Sequence, residues 1–401
     1  MTDIPSIVTA YRCHSDQRGA IATVVKTEGS SYRRPGARML IFDREVIGSI
    51  SGGCLEQDVI AHAQEVMRSG QPRLVTYDST AKEDIVWGLG LGCNGVVQIL
   101  IERLHAHHSL TLIETGLATQ NTSVLATVFN AEGNGEIAIG TSLLLTDQTT
   151  IQGNFPESNW KRAVIADALS ALDSQQPTTL RYQSPDAQFI EVLIEILQPP
   201  VDLWLFGAGQ DAVPVAHLAK TLGWSVTLVD CRALAATAQR FSGVDRVILT
   251  RRDQIEELTV PPGAIAVVMT HHYLDDLAIL KMLLPSQAQY VGLLGSRLRA
   301  NRLLDECVAL TPEQQSRCYA PIGLDIGAET PEAIALSIVA EIQAVLARRS
   351  AGHLKHRQAG IHVPVPHQER SEVLGSSLIS GYCKVRVPLA ELEDSRIQLA
   401  P

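Results

Sequence analysis

The sequence predicts an α/β chain in two parts: a duplicated α+β domain, then a Rossmann-like domain built on a parallel sheet. Three observations carry this. A pattern in residues 22–104 recurs in residues 126–197. After Gln198-Pro199-Pro200, the apolar run Val201–Phe206 ends in Gly207-Ala208-Gly209 and opens a helix. Strand and helix signals then alternate to about Ala347, the pattern of a parallel sheet with crossover helices.

The repeat is explicit. Ala22-Thr23-Val24, Glu28-Gly29, Gly36, Leu40 and Asp43 recur without a gap as Ala126-Thr127-Val128, Glu132-Gly133, Gly140, Leu144 and Asp147. Ser69, Gln71, Pro72, Tyr77 and Ser79 recur one residue out of step as Ser174, Gln176, Pro177, Tyr182 and Ser184. Each copy reads strand, loop, strand, helix, strand, closing segment, and the two are expected to pack one shared core. The copies differ where chemistry belongs. Ser30-Ser31-Tyr32-Arg33-Arg34-Pro35 and Ser51-Gly52-Gly53-Cys54 stand in the first alone, and Gly88–Gly95 has no counterpart. The second copy reads as scaffold.

In the second half the expected strands are Leu203–Phe206, Ser225–Val229, Arg246–Leu249, Ala264–Met269 and Tyr290–Leu294. The last helix starts at Thr330-Pro331, a capping Thr followed by Pro at the first helical position. Ile334, Ile338, Ile342 and Val345 give it one apolar face. The domains are therefore 1–198 and 201–348. Residues 349–401 lose periodicity, gather His353, His356, His362 and His367, and read as a flexible tail.

Bulk properties exclude several classes. At 401 residues the chain exceeds one typical core. A net charge of −10 argues against a nucleic-acid partner, which requires a basic face. No apolar run reaches the roughly 20 residues of a membrane span, and Met1–Gly19 lacks a signal-peptide core. Seven scattered cysteines, an odd number with no CxxC pair, make neither a disulfide framework nor a zinc knuckle. The expected location is the cytoplasm.

Three segments of the first copy carry candidate chemistry. Ser30 and Ser31 with Arg33 and Arg34 join two strands. Hydroxyls, backbone N–H groups and a planar guanidinium fork suit a phosphate; a polar hairpin with solvated arginines is the plainer reading. Gly52 and Gly53 lead to Cys54, expected at the start of a helix over Leu55–Met67. There the helix dipole favours a thiolate, against the common fate of a buried, inert cysteine. Gly92 and Cys93 lie in a loop with four glycines in eight residues, which lets backbone approach a ligand or merely serves a wide surface loop.

In the second half, Gly207 and Gly209 form a dinucleotide-type turn, and Asp230 closes the next strand where a ribose-binding acid is expected. Asp211 places a carboxylate where a pyrophosphate should rest, unless it points away. His271, Ser296 and Arg297 follow later strands at their carboxyl ends, where open α/β sheets bind ligands.

Together these segments resemble the XdhC/CoxI family. The likeness is carried by Gly29–Met39 (GSSYRRPGARM), Ile50–Glu56 (ISGGCLE), Trp87–Gly95 (WGLGLGCNG), Phe206–Pro214 (FGAGQDAVP), Tyr290–Arg297 (YVGLLGSR) and Ala320–Ile342. It runs in order to about residue 348. It implies a cofactor-handling N-terminal domain, and a role in maturing xanthine-dehydrogenase-like or carbon-monoxide-dehydrogenase-like enzymes. Such proteins carry molybdenum cofactor, as molybdopterin in a mono- or dinucleotide form. They present it for sulfuration by a cysteine desulfurase and deliver it to an apo molybdenum hydroxylase. Cys54 and Cys93 match motif cysteines, and a homodimer is the expected assembly. Two other readings stand beside this one. An NAD(P)-dependent oxidoreductase would use the Gly207 turn and Asp230, although no Tyr-x-x-x-Lys pair stands out. A soft-metal or redox-sensing module would use Cys54 and Cys93.

Overall fold

The computed structural model describes residues 3–14, 17–79, 95–104, 109–119, 121–133, 135, 137–146, 150–231, 239–307, 310–358 and 367–370. After helix α1 (Asp3–Cys13), the first copy consists of β1 (Gly19–Gly29), β2 (Arg38–Phe42), β3 (Val46–Gly48), α2 (Glu56–Ser69), β4 (Arg73–Asp78) and β5 (Gly95–Arg103). Helix α3 (Ser109–Ala118) leads into β6 (Ser123–Glu132), β7 (Ser142–Leu145), β8 (Ile151–Gly153), α4 (Asn159–Ser174), β9 (Thr178–Gln183) and β10 (Phe189–Leu197). The first sheet is ordered β3-β2-β1-β5-β4. The second is ordered β8-β7-β6-β10-β9, position for position the same. Both interrupt their central pairing at the corresponding place, between Val24 and Lys26 and between Val128 and Asn130.

The apolar runs explain why the sheets stack. Ala20, Ala22 and Val24 face α2, whereas Ile21 and Val25 face the other sheet. In the second copy, Val124, Ala126 and Val128 face α4, and Leu125 and Phe129 face back. Strands buried on both sides lose the usual alternation of polar and apolar residues. The inter-sheet contact is reciprocal. Val25 and Leu100 meet Phe129 and Leu193, their counterparts in the other copy.

The same reciprocity holds for charge. A methyl group on Gly36 would lie 2.4 Å from a carboxylate oxygen of Glu195, and one on Gly140 equally close to Glu102. Both glycines have positive φ, 92° and 90°. Each copy thus turns a glycine corner over a glutamate of the other. The symmetry breaks at Arg38, which pairs with Glu195 through two bonds of 2.9 and 2.6 Å, with both side chains at most 2% exposed. The second copy has Ser142 at that place.

The C-terminal half contains β11 (Asp202–Phe206), α5 (Ala212–Thr221), β12 (Ser225–Asp230), β13 (Arg246–Leu249), β14 (Ile265–Val268), α6 (Tyr273–Leu283), β15 (Tyr290–Leu293), α7 (Arg297–Asp305), α8 (Pro312–Ser316), β16 (Cys318–Tyr319) and α9 (Pro331–Leu346). Its parallel sheet is ordered β13-β12-β11-β14-β15-β16. Strand order reverses between β11 and β14, which makes a switch point at their carboxyl ends. All five expected strands are present. β16 was not expected, because two residues give no readable pattern. Thr330 caps α9 by accepting from the Ala333 N–H at 3.3 Å, and Ile338 and Ile342 are fully buried. Within the tail expected to be flexible, β17 (His367–Arg370) pairs in parallel with β9 at the edge of the second sheet. Among the described residues no helix is long and apolar enough to cross a membrane.

Removing one member of a buried ion pair strands the other charge. Glu195→Ala should therefore cost roughly 3–5 kcal/mol in urea unfolding. An Arg38→Met, Glu195→Leu double variant should recover most of that loss. Equal stability of single and double variants would contradict the assignment.

Candidate functional site

The loop from Ser30 to Ala37 leaves β1 through Gly29 and enters β2 through Gly36, two positions with positive φ. Inside it the Ser31 hydroxyl donates to the Arg33 carbonyl at 3.0 Å. Arg33 Nε donates to the Ser49 carbonyl at 3.2 Å, which fastens the loop to the segment leading into the Ser51–Cys54 turn. Arg34 is exposed and takes a different direction. Partial burial and the cation of Arg349 beside it hold its pKa below the ordinary arginine value. Arg349 follows α9 in the C-terminal half.

The Ser51–Cys54 turn is clamped by a residue not singled out from the sequence. Glu56, at the start of α2, accepts from the Ser51 hydroxyl, from the Ser51 N–H at 2.9 Å and from the Leu55 N–H at 3.2 Å. The Ser51 oxygen in turn accepts from the N–H groups of Gly53 (3.1 Å) and Leu55 (3.2 Å), and Cys54 Sγ lies 3.6 Å from it. Burial pushes the Glu56 pKa up, but the Ser51 and Leu55 hydrogen bonds outweigh it and hold the carboxyl below its usual range. These bonds surround Cys54. The thiol is exposed and sits two residues before α2, but the neighbouring N–H donors are already used by Ser51 and Glu56. The sequence signal was present: an acid five residues after a serine, across a Gly-Gly turn.

Ser30, Tyr32, Arg33, Cys54, Tyr77 and Gly95 line one hollow. Tyr77 is buried and donates to Asp58 at 2.6 Å, so burial and that carboxylate push its phenol well above the ordinary value. Gly95 is required by close approach, since a methyl there would lie 2.4 Å from the Ser30 carbonyl oxygen. Ser79 and Gly95 are joined by hydrogen bonds of 2.7, 3.0 and 3.1 Å. Gly92 and Cys93, between these two anchors in sequence, lie outside the described residues. Ser30, Ser31, Arg33, Gly52, Gly53 and Cys54 are thus brought together.

A second group forms at the carboxyl end of the parallel sheet. Gly207 (φ 121°) has no room for a side chain, which would meet the Met269 carbonyl oxygen at 2.4 Å. Asp211 does not point away from the turn. Its carboxylate lies over Gly209 and bonds His271 Nε2 at 2.6 Å, so a pyrophosphate placed there would meet a negative group. Arg240 brings a cation to the same turn, donating to the Ala208 carbonyl at 2.9 Å. His271 has φ 60°, an uncommon conformation outside glycine that marks positions worth inspecting for function. Asp230 ends β12 with 1% exposure. Ser296 serves as the N-cap of α7, accepting from the Arg299 N–H at 3.3 Å, and the exposed Arg297 follows it. Buried Asp276, missed in the sequence, binds Thr270 and Arg299 and so ties the two loops together.

The model of the XdhC and CoxI family matches residues 13–78 and 117–183, one segment in each copy. The model of the XdhC Rossmann domain matches residues 203–342. A probable xanthine dehydrogenase subunit of Bacillus subtilis (strain 168) is 36% identical over 336 residues, covering 82% of this chain and 93% of that protein. The molybdenum cofactor insertion chaperone PaoD of Escherichia coli (strain K12) is 22% identical over 350 residues, covering 82% and 84%. A crystal structure described as a xanthine dehydrogenase from Bacillus halodurans superposes with a TM-score of 0.69 at 28% identity, over 88% of this chain and 98% of that one.

The Glu56 clamp carries a pH signature. A carboxyl whose folded pKa lies below its unfolded value adds stability above the unfolded pKa, and that stability is lost as pH falls through the folded one. The stability of the wild type should therefore decline more steeply than that of Glu56→Gln between about pH 5 and pH 3, as the pH falls through and below the ordinary carboxyl range. Parallel declines of the two proteins in unfolding experiments would show that the clamp adds nothing to stability.

Proposed function

The chain belongs to the XdhC and CoxI family, and from that premise we propose that it binds molybdenum cofactor and supports its sulfuration and insertion into a molybdenum hydroxylase. The observation that carries this is the hollow of the first copy, where serine hydroxyls, a guanidinium and a free thiol meet. The cargo is an anion with a phosphate or nucleotide tail at one end and a metal dithiolene at the other. Ser30 and Arg33 suit the tail, as hydroxyl and guanidinium donors on a loop entered through glycine, while the Ser31 hydroxyl braces that loop through the Arg33 carbonyl. Arg34, beside Arg349, lies outside the hollow's lining. Cys54, exposed and 3.6 Å from Ser51, suits the metal end or an incoming sulfur. Cys93 is given the same task by its place in the sequence motif. A cysteine desulfurase and an apo molybdenum hydroxylase are the proposed partners, a homodimer the proposed assembly and the cytoplasm the proposed location. The PaoD relative, named for cofactor insertion, supports the carrier role.

The rival NAD(P)-dependent oxidoreductase is disfavoured by Asp211, because a carboxylate over the glycine turn repels a pyrophosphate. By the same repulsion, in a carrier the Rossmann half forms the other wall of the cleft and does not seat a pyrophosphate on that turn.

If Arg33 grips the tail, Arg33→Ala should weaken cofactor binding in calorimetry by roughly 1.5–3 kcal/mol, the worth of one charged hydrogen bond. Arg34→Ala, outside the hollow's lining, should cost less. Cys54→Ser should bind cofactor normally yet fail to mature its client. An Arg33→Ala protein that folds and binds with unchanged affinity would leave the loop as a solvated hairpin.

A further inference from the structure

Tyr32 stands in the middle of the Ser30–Arg34 loop and is 64% exposed, level with Leu298 as the most exposed large apolar side chain among the described residues. Its setting is specific. A methyl group on Gly52 would lie 3.8, 3.8 and 3.9 Å from Tyr32 Cγ, Cδ2 and Cδ1. A point equally far from these three ring atoms lies over the ring face, not beside its edge. One face of the phenol is therefore turned toward Gly52, at a distance that would just admit a methyl group, and the ring as a whole is largely exposed. Two independent anchors fix this loop and turn: Arg33 bonds the Ser49 carbonyl, and Glu56 clamps Ser51. The plane borders the same hollow as Ser30, Arg33 and Cys54.

An exposed aromatic plane on an anchored loop, with one face toward a glycine turn, is a stacking platform for a flat heteroaromatic ring. Resting on the carrier reading above, we infer that Tyr32 stacks on the pterin ring of the cargo. The stack sets the cargo's orientation. The tail then reaches Ser30 and Arg33, and the metal-bearing end lies toward Cys54. Tyr77, the other tyrosine lining the hollow, is buried and bonded to Asp58, so it offers no such face.

The test is a titration of the full chain with a phosphate-free pterin, 6-hydroxymethylpterin, followed by quenching of pterin fluorescence. Wild type, Tyr32→Phe and Tyr32→Trp should bind within about threefold of one another, since stacking needs the ring and not the hydroxyl. Tyr32→Ala should bind roughly 5- to 150-fold more weakly, the range measured for loss of one base–aromatic stack. Its affinity for inorganic phosphate should be unchanged, which shows the loop still folded. Equal pterin binding by wild type and Tyr32→Ala would overturn the platform alone. No pterin binding by wild type would sink the carrier reading and the platform with it.

Discussion

The buried pair between Arg38 and Glu195 is the constraint on which the site depends. Taking two charges out of water costs several kcal/mol per ion unless each meets the other in good geometry. Here the fork of Arg38 meets both carboxylate oxygens of Glu195 between the two sheets. That carboxylate also fills the space beneath Gly36, where the functional loop turns into β2. The second copy of the repeat, bare of candidate chemistry, thereby fixes the far end of the loop that carries Ser30, Tyr32 and Arg33. Its role as scaffold has a physical meaning: it supplies the counter-charge against which the functional copy is set.

The pseudo-symmetry shows how two similar layers come to differ in role. Glu102 and Glu195 each pack under a glycine of the opposite copy, and Val25 with Leu100 mirrors Phe129 with Leu193. Arg38 against Ser142, and the Ser51–Cys54 turn against Gly153–Pro156, are departures from that pattern. The hollow lies among the departures of one copy, while the shared positions hold the stack together. Family matches over 13–78 and 117–183 fall on the same two units.

Much of this was legible in the sequence, because the signals were local. Short apolar runs gave the parallel strands, and Thr330-Pro331 gave the start of the last helix. The repeat showed that the two copies share one succession of strands and helix, since identical spacings demand like connectivity, but the order of strands within each sheet came from the structure. What stayed hidden depended on direction. Arg33 and Arg34 are adjacent, yet one reaches Ser49 and the other lies by Arg349, and a loop has no period to separate them. Glu56 reads as an ordinary first-turn acid until the turn folds back and brings Ser51 onto it. Asp211 was ambiguous for the same reason. Its orientation is set by His271, 60 residues away in sequence.

The two candidate centres make different demands on the chain. A turn that presents a carboxylate over glycine is poorly suited to hold a dinucleotide for turnover. A loop with serine hydroxyls, a guanidinium and a nearby thiol suits transient custody of an anionic, sulfur-ligated cargo. The most direct measurement is native mass spectrometry of the protein purified, without oxidation, from cells that make molybdenum cofactor. A carrier should show a bound molybdopterin species, which an Arg33→Ala variant should lose. A stoichiometric NAD(P) mass in its place would contradict the carrier role.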